Sequence, residues 1–126
     1  STVVQIEDNA ANAALVEAIF RRRPSIGLLT AVNGREGLAL AMERKRLLVL
    51  LDLDLPDISG ETVLAELRAD PRTKDVPVII LSADASPERV ARLRAAGALA
   101  YLAKPIDPFN LLALVDAEIA RAASAA

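Results

Sequence analysis

The sequence of 126 residues contains no cysteine, no histidine and no tryptophan. The lack of cysteine excludes disulfide bonds and thiolate metal sites, and the lack of histidine excludes imidazole bases and ligands. Any metal site built from this chain must therefore use oxygen ligands. We expect a cytoplasmic location, because a cysteine-free chain is compatible with one and no charged-then-apolar export leader is visible.

Aromatic residues, long apolar runs and an excess of basic charge are also missing. Aromatics make up 2% of the residues and hydrophobic residues 53%, so the core must consist of leucine, valine, isoleucine and alanine. The apolar runs are far shorter than the roughly 20 residues of a membrane-spanning helix, and we expect no membrane contact. Fifteen basic and seventeen acidic residues give a net charge of -2. Without a basic excess, nucleic acid is not expected as a direct partner.

We predict a single domain over residues 1–126, because this length suits one hydrophobic core and the polar connections are short. Apolar runs of strand length occur five times, at residues 3–6, 27–31, 47–51, 76–81 and 99–102. Segments with helical periodicity follow them, at residues 10–22, 35–44 and 60–69, from residues 86–88 onward, and at 108–122. This alternation predicts an α/β fold with a parallel sheet, right-handed crossovers and helices on both faces.

Local signals indicate how the helices are oriented and where they begin. Apolar residues four apart in the predicted first helix form one stripe: Leu15 with Ile19, and Val16 with Phe20. Asn9 is a plausible cap for that helix. Asp57 stands just before the predicted third helix, and we interpret it as a turn residue or helix cap.

Charged side chains stand at the ends of the predicted strands. Asp52 ends the third apolar run. The acidic pair Glu7 and Asp8 ends the first run, and Lys104 follows the fifth. Parallel strands place their carboxyl ends on one edge of the sheet, so we expect these side chains to converge there with Ser82, which ends the fourth run. Three carboxylates and one amine at one edge indicate a site for a divalent cation and a phosphoryl group, although each residue taken singly could be a cap or a surface charge.

These residues and the segment Asp-Leu-Asp-Leu-Pro-Asp-Ile-Ser-Gly at 52–60 resemble the receiver domain of two-component response regulators. The resemblance covers essentially the whole chain. It implies a flavodoxin-like receiver fold whose five-stranded parallel sheet has the order 2-1-3-4-5. It also implies a role in two-component or phosphorelay signalling, as a switch that catalyses its own aspartyl phosphorylation and dephosphorylation and is not an enzyme in the turnover sense.

The resemblance assigns Asp52 as the residue that accepts the phosphoryl group, and Glu7 and Asp8 as the acidic pair of the first strand. It implies Mg²⁺ as the cofactor, with Mn²⁺ as an alternative. The ligands are then the carboxylates of Asp8 and Asp52, the backbone carbonyl of Asp54, and a water held by Glu7. This set suits magnesium, which prefers octahedral oxygen ligands and keeps several waters.

The groups that contact the phosphoryl oxygens are also implied by the resemblance. They are the amine of Lys104, the hydroxyl of Ser82 and the backbone N–H of Ala83. The resemblance further implies a cis peptide bond between Lys104 and Pro105. Only about 5–6% of such bonds are cis in folded proteins, so this is a specific expectation.

Three further positions concern switching and the lifetime of the phosphoryl group. Tyr101 occupies the family's switch position and is expected to act with Ser82; alternatively, it is an amphipathic ring half buried at a strand end. Asp54 and Asp84 follow Asp52 and Ser82 by two residues, where receivers differ in how long the phosphoryl group persists. Both are acidic here, and the direction of their effect stays open.

The partners implied by the resemblance are a sensor histidine kinase or a histidine phosphotransfer protein as donor. An output partner would bind the face formed by the fourth helix, the fifth strand and the fifth helix. The chain begins at Ser1, directly before the first strand. A stand-alone regulator and a piece of a hybrid histidine kinase are both compatible with this start; the Glu-Asp-Asn segment at 7–9 favours the piece.

Two other functions stay open on the sequence. The segment Asp52-Leu53-Asp54 also resembles the Asp-x-Asp motif of haloacid dehalogenase-like phosphohydrolases, which use an aspartate nucleophile. That family places the motif on its first strand and needs a longer chain with a substrate cap. The other alternative is a pseudo-receiver that serves only as a docking module and is not phosphorylated.

Overall fold

Five strands and five helices alternate along the chain in the computed structural model, which describes residues 1–45 and 47–125. The elements are β1 (Thr2–Ile6), α1 (Ala10–Phe20), β2 (Gly27–Ala31), α2 (Gly34–Glu43), β3 (Leu47–Asp52), α3 (Gly60–Ala69), β4 (Val78–Ser82), α4 (Pro87–Ala95), β5 (Ala100–Ala103) and α5 (Pro108–Ala125). All neighbouring strands pair in parallel, in the order β2-β1-β3-β4-β5. The predicted α/β fold and strand order are confirmed.

The central strands are almost entirely apolar on both faces because helices cover both sides of the sheet; away from the strand ends, the exception is the buried Gln5 of β1. Alternate residues of β3 point into two separate hydrophobic clusters: Val49 and Leu51 into one, Leu48 and Leu50 into the other. The first cluster is completed by α2, α3 and α4, and the second by α1 and α5. Continuous apolar runs in the sequence therefore correspond to strands sandwiched between two helical layers.

The first helix differs from the predicted stripe. Leu15 is 46% exposed, whereas Val16, Ile19 and Phe20 are buried. Successive residues of an α-helix point about 100° apart around the helix axis. The side chain of Leu15 therefore points well away from that of Val16 and lies outside the buried face. The helix also ends at Phe20, and residues 21 and 22 form a turn.

Two other boundaries moved for identifiable reasons. Strand β4 begins at Val78, two residues later than predicted, because Pro77 has no N–H to contribute to the ladder. Helix α5 continues to Ala125, beyond the predicted end at residue 122, because its last turns are rich in alanine, the best helix former. Within the described part of the chain, no helix, α5 included, is long and apolar enough to cross a membrane.

Asp57 caps a helix, but not the helix that it precedes. Its carboxylate oxygens accept the N–H groups of Gly34 at 2.8 Å and Arg35 at 2.9 Å, at the start of α2. The cap of α3 is Ser59, whose hydroxyl accepts the N–H of Thr62 at 3.1 Å. The prediction that Asp57 caps a helix is confirmed, but the capped helix is α2 and not the adjacent α3. The loop after β3 is thereby tied to α2, and a negative charge lies at the helix N-terminus, where it is favourable.

The Asp57 carboxyl group remains ionised to low pH. Desolvation raises its pKa, but the N–H donors of Arg35 and Gly34 act in the opposite direction and lower the pKa from 3.8 to about 2. A carboxylate with a depressed pKa stabilises the fold above its unfolded pKa, and this contribution disappears as the pH falls through the folded pKa.

We predict that Asp57→Ala lowers the free energy of unfolding at neutral pH, because two helix N–H groups lose their acceptor. The difference in free energy of unfolding between the variant and the unchanged protein should shrink as the pH falls from 3.8 toward about 2. Urea unfolding at a series of pH values measures it. Ser59→Ala is the control, because it removes a neutral cap from the same loop at a cost of about 1 kcal/mol that does not depend on pH. An equally pH-independent deficit for Asp57→Ala would contradict this account.

Candidate functional site

Polar side chains gather at the carboxyl edge of the sheet. Glu7 and Asp8 follow β1, and Lys104 follows β5. Asp52 is the last residue of β3, and Ser82 is the last residue of β4. Register brings them close: Asp52 pairs with Leu81, and the backbone N–H of Lys104 donates to the carbonyl of Ser82 at 2.9 Å. The convergence that parallel strands predict is present, although these residues span most of the chain.

Three carboxylates form a tight cluster at this edge. One oxygen from each of Glu7, Asp8 and Asp52 lies within 4.8 Å of the other two. Glu7 and Asp52 are 5% and 4% exposed, whereas Asp8 is open to solvent. The N–H of Asp54 donates to Asp52 Oδ1 at 3.1 Å and holds that carboxylate in place. Two carboxylates of the cluster are therefore buried, and the third, that of Asp8, is exposed to solvent.

Lys104 supplies the positive charge that faces this cluster. Its Nζ lies 3.2 Å from Glu7 Oε1 and 3.4 Å from Asp52 Oδ2. Partial burial lowers the pKa of Lys104, but the charges of Asp52 and Glu7 outweigh that effect and leave the pKa raised. The amine therefore stays protonated. The peptide bond that joins Lys104 to Pro105, for which we expected a cis geometry, is cis.

Glu7 is a carboxyl group of the cluster with a raised pKa. Burial first and then the neighbouring Asp52 carboxylate raise its pKa from 4.5 to about 7. Two contacts act in the opposite direction: the N–H of Asn9, which donates to Glu7 Oε2 at 3.3 Å, and the charge of Lys104. Like charges this close resist ionising together.

The donor set fits a hard divalent cation. All three side chains offer carboxylate oxygens, the ligand type that magnesium and manganese prefer. When all three carboxylates are ionised, the single ammonium of Lys104 leaves two negative charges uncompensated, the charge that one divalent ion would neutralise. The exposed position of Asp8 leaves the cluster accessible from solvent.

A second group of contacts adjoins the cluster through Ser82, whose side chain is buried. Ser82 Oγ accepts the N–H of Asp84 at 3.2 Å, and the carbonyl of Asp84 accepts the hydroxyl of Tyr101. The Asp84 carboxylate accepts the N–H of Ser86 at 3.1 Å and pairs with Arg89 at 3.1 Å. These contacts, first that of Ser86 and then that of Arg89, lower the pKa of Asp84. Ser82 and Tyr101, which the resemblance paired as switch residues, are thus connected through Asp84.

The remaining predicted residues lie at the rim. Ala83 is exposed directly after Ser82, and the side chain of Asp54 is exposed while its N–H serves Asp52. Tyr101 is partly buried and packs against the hydrophobic cluster that includes α3 and α4. Its hydroxyl points to the loop before α4, which agrees with a ring lying between core and solvent.

Sequence reasoning missed an ionic network between α3 and α4. Glu61 Oε1 lies 2.8 Å from Arg92 Nη2 and 3.8 Å from Arg89 Nε. The two arginines are three residues apart, on one face of α4. That spacing was visible in the sequence, but it does not identify a partner on a different helix.

Gly60 belongs to the motif at residues 52–60 and has a steric role that the sequence did not reveal. A Cβ atom at Gly60 would lie 2.6 Å from Leu53 Cα and 2.7 Å from the carbonyl oxygen of Asp52. The N–H of Gly60 donates to the carbonyl of Leu53 at 3.0 Å. The start of α3 therefore lies directly against the backbone that carries Asp52, and only glycine leaves room for it.

Comparison with known proteins identifies the family. Residues 3–116 match the response regulator receiver domain. The chain belongs to this family. Receiver domains are signalling switches, and the resemblance read from the sequence is confirmed. The haloacid dehalogenase-like alternative is set aside, because it requires the Asp-x-Asp motif on the first strand, and in this receiver domain Asp52 ends β3.

Three relatives illustrate the match. The DNA-binding dual master transcriptional regulator RpaA of Synechocystis sp. is 37% identical over 119 residues, covering 94% of this chain and 49% of RpaA, so the chain spans about half its length. The polar-differentiation response regulator DivK of Brucella anthropi is 35% identical over 84% of this chain and 85% of DivK. The receiver domain of sensor histidine kinase PA1611 from Pseudomonas aeruginosa PAO1 is 28% identical, with a TM-score of 0.83 over 94% of this chain and 97% of that one. Its crystal structure has a magnesium ion coordinated in the active site cleft.

We predict that Gly60→Ala destabilises the receiver domain by about 1–3 kcal/mol, because the added methyl group must displace backbone. Amide shifts should change at Leu53 and Asp54, and urea unfolding measures the loss of stability. Gly27→Ala is the control, since a Cβ there meets nothing closer than 3.9 Å. Equal stabilities for the two variants would show that the close approach at Gly60 is unimportant.

Proposed function

We propose that this receiver domain accepts a phosphoryl group on Asp52 from a phosphohistidine of a partner protein, in two-component or phosphorelay signalling. The observation that carries the proposal is the setting of the Asp52 carboxylate. It is 4% exposed, has a lysine amine 3.4 Å from one oxygen, and belongs to a cluster of three carboxylates at the carboxyl edge of the sheet.

In the proposed step, a carboxylate oxygen of Asp52 attacks the phosphorus in line while the bond from phosphorus to the histidine nitrogen breaks. The imidazole leaves with the electron pair, and an acyl phosphate is formed. Lys104, already next to Asp52, balances negative charge on the phosphoryl oxygens. The Ser82 hydroxyl and the Ala83 N–H donate to the other oxygens.

We propose Mg²⁺ as the cofactor, with Mn²⁺ as an alternative. Its ligands would be the carboxylates of Asp8 and Asp52, the backbone carbonyl of Asp54, and a water held by Glu7. When bound, the ion would supply positive charge to the carboxylates and to the incoming phosphoryl oxygens. The oxygen-only donor set and its uncompensated negative charge support this assignment, as does the magnesium site of the PA1611 receiver domain.

We further propose that Asp54 and Asp84 tune the lifetime of the acyl phosphate. Asp54 is exposed directly beyond Asp52, where its side chain meets solvent approaching the site. The carboxylate of Asp84 is engaged by Ser86 and Arg89, so its influence depends on those contacts.

The proposed output involves Ser82 and Tyr101. A phosphoryl group on Asp52 would attract the Ser82 hydroxyl inward, and the loop that joins Ser82 to Tyr101 through Asp84 would follow. Tyr101 would then exchange a solvent-facing rotamer for an inward one; in this structure its ring is already partly buried against the cluster that includes α3 and α4. The exchange of rotamers changes the face formed by α4, β5 and α5, where we place the output partner.

The proposed context covers the whole chain. Residues 1–126 act as one receiver domain, located in the cytoplasm, that receives its phosphoryl group from a sensor histidine kinase or a histidine phosphotransfer protein. A place within a hybrid histidine kinase is supported by the similarity to the receiver domain of sensor histidine kinase PA1611. The domain catalyses its own phosphorylation and dephosphorylation, and it makes no direct contact with nucleic acid or membrane.

We predict that a small acyl phosphate donor with Mg²⁺ adds one phosphoryl group to the receiver domain and none to Asp52→Asn, because the amide is not a nucleophile. Intact mass spectrometry measures the addition. Asp54→Asn is the matched control, since it changes a neighbouring carboxylate and should still be phosphorylated. Equal phosphorylation of Asp52→Asn and the unchanged chain would refute the assignment of Asp52. A complete lack of phosphorylation would favour the pseudo-receiver alternative.

We predict that Asp8→Ala weakens Mg²⁺ binding at least about tenfold, since even outer-shell changes at metal sites cost 10–100-fold. Amide shifts at Asp52 and Asp54, followed during a Mg²⁺ titration, measure the affinity. The control is Asp116→Ala, which removes the same charge from a surface pair with Arg23. If the two variants bind Mg²⁺ equally well, Asp8 is not a ligand.

A further inference from the structure

We propose that Arg89 is a positioning residue that holds the loop between β4 and α4, residues 83–86, in the arrangement of the unphosphorylated domain. Through that loop it restrains the Ser82 hydroxyl. The inference rests on the proposed phosphorylation of Asp52 and adds a residue that sets how readily the switch responds.

Asp84 is the centre of the restraint. Its N–H donates to Ser82 Oγ at 3.2 Å, and its carbonyl accepts the hydroxyl of Tyr101. Its carboxylate is held on two sides, by the N–H of Ser86 and by Arg89 Nη1, each at 3.1 Å. Ser82 and Tyr101 are therefore connected through the backbone of a single residue, and the side chain of that residue is held by Arg89.

Arg89 is itself held in position. Its side chain is 24% exposed, compared with 60% for Arg92 on the same helix. Both arginines face the same oxygen of Glu61, in the first turn of α3. Arg92 binds it at 2.8 Å, and the Nε of Arg89 lies 3.8 Å away. This Nε is buried and has no hydrogen-bond acceptor among the residues that the structure describes.

These contacts oppose an inward movement of Ser82. Such a movement lengthens the bond from Asp84 N–H to Ser82 Oγ unless Asp84 follows, and Asp84 can follow only by leaving Arg89 or by pulling Arg89 and α4 with it. A small shift of α4 toward α3 would bring Arg89 Nε within hydrogen-bond distance of Glu61. The Arg89 guanidinium therefore has one arrangement with Asp84 and a second one available with Glu61.

The expected size of the effect is modest, because the Asp84 side chain is 54% exposed and partly exposed ion pairs are weak. We expect Arg89→Ala to speed hydrogen exchange of the Asp84 amide about two- to fivefold in the unphosphorylated, metal-free domain. Tyrosine emission should also change. Tyr101 is the only tyrosine and tryptophan is absent, so this emission reports the ring that bonds to Asp84.

A beryllofluoride titration with Mg²⁺ gives the functional readout, because beryllofluoride mimics the phosphoryl group on an aspartate. With the restraint removed, the Arg89→Ala variant should need about two- to fivefold less beryllofluoride to reach half of the amide-shift change at Ser82. Loss of a purely structural contact would not lower that midpoint.

Two controls make the test specific. Arg92→Ala removes the other arginine bound to Glu61, and with it no contact to Asp84, so it should leave Asp84 exchange and the beryllofluoride midpoint unchanged. In an Asp84→Ala background, Arg89→Ala should have little further effect, because the acceptor of the Arg89 guanidinium is already absent. Equal effects of Arg89→Ala and Arg92→Ala, or an undiminished effect of Arg89→Ala in the Asp84→Ala background, would overturn the proposal.

The amide-exchange measurement needs neither metal nor phosphoryl group. If the unchanged domain failed to bind beryllofluoride, the proposed phosphorylation of Asp52 would be refuted, while amide exchange would still decide whether Arg89 restrains the loop.

Discussion

The repulsion among three carboxylates at one sheet edge, offset by a single lysine, is the constraint on which the site depends. One oxygen from each of Glu7, Asp8 and Asp52 lies within 4.8 Å of the other two, and Lys104 contacts two of the three carboxylates. The pKa of Glu7 is raised first by burial and then by the neighbouring Asp52, and the charge of Lys104 offsets only part of that rise. The site is therefore built to gain stability from added positive charge, and a divalent cation supplies it in the simplest way.

The topology of the parallel sheet is enough to bring the three carboxylates together. Parallel strands end on one edge, and burial of the sheet keeps charged residues out of each strand until its carboxyl end, where the chain meets solvent again. Charged residues are tolerated at that boundary and not before it. Asp52 is the last residue of β3, and Lys104 directly follows β5. The helix that begins at Gly60 then packs against the backbone at Asp52 and Leu53 and holds it in place.

Charged groups also hold together the residues next to the cluster, where the ion pairs are weaker. Asp84 connects the Ser82 hydroxyl to Tyr101 through its backbone and to Arg89 through its carboxylate. The ion pairs of this network are partly exposed, so they bias a conformational equilibrium without locking it. A switch needs that balance, because a strong buried pair would resist any signal of ordinary size.

The sequence by itself determined the α/β class and the charged strand ends, and the strand order followed from the family resemblance. Strand periodicity and βα alternation are local properties, and parallel pairing turns strand ends into neighbours. The set Glu7, Asp8, Asp52, Ser82 and Lys104 could be predicted for that reason. The exposure of Leu15 was missed because two pairs of apolar residues four apart do not reveal which part of a helix surface faces the core.

Only the tertiary structure decided the contacts between side chains far apart in sequence. Asp57 caps α2 and not the adjacent α3, because the loop after β3 folds back over the start of α2. Glu61 meets two arginines of α4 because α3 and α4 pack side by side on the same face of the sheet. Capping and ion pairing need only a donor and an acceptor within reach, so composition shows that such pairs can form, and the packing of helices on the sheet selects the partners.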